Sequence, residues 1–267
     1  MGNQVATETA AILASGGYTS AGGRQVDLRA AIAAAVAGTR LVEPGDALAA
    51  GTAAAGPTAV TVTGESTLAA ARRLAGDGGS APACLNFASA KHPGGGWRGG
   101  ARAQEESLAR ASALVPCLEA APAFYAFHLA QHDPRYSDRA ILSPSVPVFR
   151  DDHHTLLDEP YQVAFLTSAA PNAGAVRRNR PADEDGLPEV LARRARRVLD
   201  VAAAGGYRRL VLGAWGCGVF ANVPAVVAGV FAAALAGDDR FEQVVFAVLD
   251  TRPGRSTLAA FEAALGA

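Results

Sequence analysis

Apolar positions along the chain change texture near residue 58. Beyond that point, short runs rich in β-branched residues read as strands: AVTVT (59–63), ACLNFA (83–88), AILSPSVPVF (140–149), YQVAFLTSA (161–169), RLVLGA (209–214) and QVVFAVLD (243–250). Between them lie STLAAARRLAG, ESLARASALVPCL, LPEVLARRARRVLDVAAAGG, VPAVVAGVFAAALAG and TLAAFEAALGA, with apolar residues at helical spacing. Several strands are apolar at successive positions, as expected of a sheet covered on both faces, so the pattern predicts an α/β sandwich. Ahead of it, VATETAAILASGG and DLRAAIAAAVAG read as helices ended by glycine, and PGDALAAGTAAAGP (44–57) as a linker. The expected organisation is therefore a helical extension and linker over 1–57 and an α/β domain over 58–267. The charged stretch RRNRPADEDGLPE (177–189) reads as an exposed loop leading into a helix.

Composition narrows the function classes. With 267 residues, 50% hydrophobic and 18% charged, the chain can bury a substantial core. Lys+Arg 24 against Asp+Glu 25 leaves a net charge of -1, so neither direct nucleic-acid binding nor a membrane-bound basic face is expected, and any anionic ligand must be held locally. The opening MGNQVATETAAILASGG lacks a basic segment followed by a continuous apolar core; no signal peptide or anchor is expected, and a cytoplasmic address follows by default. Cys84, Cys117 and Cys217 are far apart with no CxxC pair, which points to reduced thiols and away from a disulfide framework or structural zinc.

Ligand sites of α/β proteins lie at strand ends. NFASAKHPGGGWRGGARAQEESLARASAL runs from a strand through a glycine loop into a helix with Leu108, Ala111, Leu114 or Val115, and Leu118 on one face. LGAWGCGVFANVPAVVAGV repeats the arrangement, with Asn222 as a candidate N-cap and Pro224 in the first turn. Backbone N–H groups in such loops suit phosphates, and two loops could grip both phosphates of one ligand. GGGWRGGA lacks the Lys-Ser/Thr of a P-loop and GAWGCG lacks the dinucleotide spacing, which disfavours nucleotide hydrolysis and hydride transfer.

Glu105 and Glu106 fall in the first turn of their helix, where the macrodipole favours negative charge, and Glu106 stands four residues before Arg110. One reading is a solvated helix start with an i,i+4 ion pair. The other is a working pair at the mouth of a phosphate loop. Successive helical residues diverge by about 100°, so one would bind and one would transfer a proton. The dipole should lower both pKa values, with a bound diphosphate and the second carboxylate raising at least one again.

PGGGWRGGARAQEE, with three glycines, seven intervening residues and Gln-Glu-Glu, resembles the signature of poly(ADP-ribose) glycohydrolases. LNFASAKHPGGG and GAWGCGVFAN resemble the bacterial-type members, and ETAAILASGGYTS resembles their N-terminal extension. The resemblance implies a macrodomain-like three-layer α/β/α sandwich with a mixed central sheet, cleaving ribose–ribose bonds of poly(ADP-ribose) to ADP-ribose. Its partners would be the polymer, ADP-ribose and ADP-ribosylated proteins, with no cofactor and no metal. Glu106 would be the catalytic acid and Glu105 its neighbour that orients the terminal ribose. Gly94, Gly95 and Gly96 would lie against the diphosphate and distal ribose, Gln104 would place the helix start and substrate, and Asn86 would belong to the binding site. Gly216, Cys217, Gly218 and Val219 would form the diphosphate turn, with Phe220 packing on the terminal ribose. Ser89 stands where the vertebrate-type pattern has Asn.

Other residues admit chemistry more weakly. His128 and His132 at i,i+4, and His153 and His154 beside Asp151 and Asp152, lack a third metal ligand at compelling spacing. Cys217 reads as a small residue in an apolar turn before it reads as a nucleophile, and Asn172 is explained equally by turn chemistry. Two other functions share the cleft: a reader that binds ADP-ribose without cleaving it, and a hydrolase acting on single protein-linked ADP-ribose.

Overall fold

The computed structural model describes residues 2–266. Its centre is a seven-stranded mixed sheet built from β3 (Arg40–Val42), β4 (Ala59–Thr63), β5 (Ala83–Phe87), β6 (Ala140–Arg150), β7 (Leu156–Ser168), β8 (Arg209–Gly213) and β9 (Gln243–Ala247). The order is β3-β6-β7-β5-β8-β9-β4. The five strands from β7 to β4 are parallel; β6 runs against both β7 and β3.

Alternation of side chains explains the layers. Leu85, Leu166, Leu210, Leu212, Val244 and Phe246 share one core with residues of α8 (Leu187–Ala204), α9 (Pro224–Leu235) and α10 (Ser256–Leu265). Their chain neighbours Cys84, Phe165, Val211 and Val245 share the other with α2 (Arg29–Gly38), α3 (Thr67–Gly76), α4 (Gln104–Ala111), α5 (Leu114–Glu119) and α6 (Pro122–Ala130). This is the expected three-layer sandwich, and burial on both faces is why the strands are apolar at successive positions.

Three differences from the sequence reading have local causes. The helix expected over ESLARASALVPCL breaks at Ser112, which is extended (φ -146°) and bridges to Val148, while the Ala113 N–H donates to the Pro147 carbonyl; strand β6 captures that backbone. The charged stretch after 177 contains the end of α7 (Ala173–Asn179) and a 3-10 turn at Pro181–Gly186 before α8. Residues ahead of 58 hold α1 (Gly2–Ser15) and α2 as expected, but also the hairpin of β1 (Gly17–Thr19) and β2 (Gln25–Asp27) and the edge strand β3, paired with Ala140–Leu142 of β6. The segment before residue 58 thus helps to close the sheet. Among the described residues no helix is long and apolar enough to cross a membrane.

Candidate active site

Strands β5 and β8 are neighbours and parallel, so the glycine loops that follow them open at the same sheet edge. The first loop is locked to its strand by Gln104. Its Oε1 accepts from the Phe87 N–H (2.9 Å), and its Nε2 donates to the Leu85 carbonyl (2.8 Å) and to Thr67 Oγ1 (3.1 Å). One side chain therefore ties the end of β5 to the starts of α3 and α4.

Both carboxylates behind Gln104 are buried: Glu105 is 3% exposed and Glu106 8%, so the helix start is not a solvated one. Glu105 Oε2 accepts from the Ser89 N–H (2.6 Å) and Oε1 from Asn86 Nδ2 (3.3 Å). Glu106 Oε1 accepts from the Gly96 N–H (2.9 Å), whereas its Oε2 is buried without a hydrogen-bond partner. The two side chains diverge as helical geometry requires. Arg110 does not take up the expected pairing with Glu106 and instead donates to the Trp97 carbonyl (3.1 Å). Burial pushes the Glu105 carboxyl up to about 8, against the hydrogen bonds from Ser89 and Asn86 that favour its charged form. Desolvation thus outweighs the helix dipole expected to lower it.

Gly95 explains the flexible stretch. Its φ is +59°, and a Cβ there would sit 2.3 Å from Glu106 Oε1 and 3.1 Å from Glu105 Oε2. The loop backbone runs against the carboxylates so closely that a side chain at Gly95 would displace them. Gly94 packs on the buried Trp97, and Gly96 supplies the N–H that fixes Glu106. Helix α1 braces this loop from outside: the fully buried Thr9 donates Oγ1 to the Arg110 carbonyl (2.7 Å), and Ala6 packs with Trp97, Ala109 and Val115.

The second loop is held by neighbours. Trp215 is buried and its indole donates to the Ser168 carbonyl (2.9 Å). Asn222, expected to cap α9, does not: the cap position is Val223, and the Asn222 Nδ2 donates to the carbonyls of Pro171 (2.8 Å) and Gly216 (3.1 Å), clamping the turn. The Gly174 N–H donates to the Phe220 carbonyl (3.0 Å), and Arg177 Nη1 to that of Ala221 (3.1 Å). Gly218 is exposed, and a Cβ added there would meet no protein atom within 4 Å; Val219 is 83% exposed. Burial pushes the Cys217 thiol up to about 12, which leaves it no thiolate near neutral pH.

Which family owns this pairing of a buried glutamate couple with an open glycine turn is settled by comparison. Residues 6–151, more than half of the chain, match the microbial-type PARG catalytic domain. The chain belongs to the microbial-type poly(ADP-ribose) glycohydrolase (PARG) family. It is 52% identical to a PARG structure from Thermomonospora curvata, with a TM-score of 0.93 over 99% of each chain. It is 51% identical to a structure of that organism's PARG bound to the inhibitor ADP-HPD, with a TM-score of 0.90 over 98% of each chain. A Deinococcus radiodurans PARG in complex with ADP-ribose is 46% identical, with a TM-score of 0.81 over 87% of this chain and 96% of that one. No curated protein matches.

Around this PARG-type edge the structure adds residues that sequence reasoning passed over. Thr167 of β7 accepts from Asn86 Nδ2 (3.2 Å), Tyr136 packs its ring against Phe220 (centroids 5.8 Å), and α7 pins the second loop. Only Asn172 gave a signal, and it serves turn chemistry: its Oδ1 accepts from the Ala175 N–H (2.9 Å) to cap α7. Ser89 turns its hydroxyl onto the N–H groups of Lys91 (3.3 Å) and His92 (3.1 Å), shaping the loop entry. Among the described residues no group of three or more His, Cys, Asp or Glu could hold a metal ion. His128 is buried between the Phe124 carbonyl and Ser137 Oγ (2.8 Å each), and burial pushes its pKa down to about 4, so it is neutral.

Proposed function

We propose that this chain hydrolyses the ribose–ribose O-glycosidic bonds of poly(ADP-ribose) and releases ADP-ribose, with Glu106 as the general acid. The observation that carries this reading is the state of Glu106: one carboxylate oxygen is fixed by the Gly96 N–H, while the other is buried and unpartnered. A buried oxygen without a partner is costly, and a ligand oxygen would satisfy it. In the reaction, Glu106 Oε2 donates its proton to the leaving ribose oxygen as the bond to the anomeric carbon breaks through an oxocarbenium-like state. The substrate's own diphosphate, held by Gly216, Cys217, Gly218 and Val219, stabilises the cation. The ionised Glu106 then takes a proton from the attacking water, restoring the acid. Glu105 orients the terminal ribose and Phe220 packs on it; Asn86 and Gln104 keep the carboxylate pair and the helix start in place. No step uses a metal or redox cofactor.

Labelled poly(ADP-ribose) and a mono-ADP-ribosylated protein, incubated with wild type and with Glu106→Gln, test the proposal. Wild type releases ADP-ribose from the polymer; Glu106→Gln keeps ADP-ribose affinity and loses about 10²-fold or more of turnover. Full activity in the variant ends the role of Glu106. Binding without cleavage by wild type makes the chain a reader, and cleavage of the mono-modified protein alone makes it a hydrolase of single units.

A further inference from the structure

The backbone at Phe220 and Ala221 is held by three hydrogen bonds. The Phe220 carbonyl accepts from Gly174, the next carbonyl accepts from Arg177, and the Ala221 N–H closes back on Gly218 (3.0 Å). Of the five non-glycine residues with positive φ among those described, two meet here: Ala221 (φ 54°) follows Phe220 in the chain, and Tyr136 (φ 59°) supplies the ring that packs on it. Left-handed backbone at a non-glycine residue is strained and persists where surrounding contacts over-determine it, which happens most often around ligand sites. Tyr136 is over-determined in this way. Its N–H donates to the Asp133 carbonyl (3.1 Å), and its ring meets the edge of His128 (centroids 5.8 Å) as well as Phe220.

We propose that Tyr136 is a positioning residue for the reaction, its ring holding Phe220 in the orientation that packs on the terminal ribose. This rests on the reading of Phe220 given above. The strain at Tyr136 has a use on this account: an unstrained residue would let the ring swing away, and Phe220 would lose the surface that fixes its tilt of 46°.

The test is a double-mutant cycle on purified full-length protein with poly(ADP-ribose) as substrate, alongside melting temperatures and ADP-ribose affinities. Tyr136→Leu keeps apolar bulk and removes the flat ring; Tyr136→Met is the more adaptable replacement should the first fail to fold. Either is expected to lower kcat roughly tenfold with little change in KM or melting temperature, as misplacing a substrate-contacting group does. Tyr136→Phe, which keeps the ring, is expected to restore it. Combined with Phe220→Ala, the Tyr136 change should add almost nothing, because both remove one interaction. Fully additive losses, or normal kcat in Tyr136→Leu beside an impaired Phe220→Ala, overturn the positioning role alone. Normal turnover in Phe220→Ala overturns the reading of Phe220 itself.

Discussion

The two glycine loops sit side by side on one sheet edge and answer to different neighbours. In the loop after β5, Gly95 has no side chain because the Glu105 and Glu106 carboxylates occupy that space. In the loop after β8, Gly218 has no protein atom near it, and its surroundings are open. The first loop is shaped by the acid it surrounds; the second presents bare backbone outward and is steadied from behind by Asn222, Gly174 and Arg177. Glycine therefore serves different ends in the two loops: in one it brings protein groups together, in the other it leaves the turn open.

Gly95→Ala bears on that contrast with the largest effect. The new Cβ would displace the Glu106 carboxylate and sit on left-handed backbone, so turnover should fall about 10²-fold and stability by about 1–3 kcal/mol. Normal steady-state kinetics would show that the first loop does not answer to the acid. Gly218→Ala should leave the denaturation midpoint unchanged, within about 0.5 kcal/mol, and weaken ADP-ribose binding about tenfold by calorimetry. Unchanged affinity would remove the second loop from the ligand.

The loops should also differ in pH response. An acid whose folded pKa is raised destabilises the fold wherever the unfolded chain has released the proton and the folded chain keeps it. Glu105 makes stability fall as pH rises from 4.5 towards about 8. Buried, neutral His128, with its pKa pushed down to about 4, makes it rise up to about 6.5. The net fall should therefore appear between about 6.5 and 8 and then level off. Glu105→Gln should flatten that slope in denaturant titrations across the range, and an unchanged slope would place the origin elsewhere. The smallest effect belongs to Cys217. With its thiol pushed up to about 12, iodoacetamide at neutral pH should leave activity intact, and rapid inactivation traced to Cys217 would contradict its burial.

The six main strands are legible in the sequence because burial on both faces leaves apolar runs bounded by turns. The motif around Glu106 is legible because its spacing is long. Burial of the two glutamates is not: two acids in a first helical turn look like solvent-facing dipole partners, and only the Gly94–Gly96 backbone folding over them shows otherwise. Asn222 looks like a helix cap because its side chain suits one, yet the Pro171 and Gly216 carbonyls compete for it and win. Strand β3, three residues long, exists only because β6 is there to pair with it, and the break at Ser112 likewise belongs to Val148. Contacts distant in sequence leave no local pattern. Tyr136 is the clearest case, since nothing near it announces Phe220.

The docking of α1 has a consequence for the order in which the molecule can assemble during synthesis. Thr9 waits for Arg110, Glu8 for Arg150 (2.8 Å), and Tyr18 for the Leu157 carbonyl (2.6 Å). Helix α1 has its resting place built from segments made much later, and such non-local closure is slow. The Thr9 and Ala6 contacts that brace the first glycine loop need the chain only to about residue 115, whereas the Glu8 and Tyr18 contacts wait for the end of β6 and the start of β7. Helix α1 can therefore settle fully only after segments far along the chain have been made.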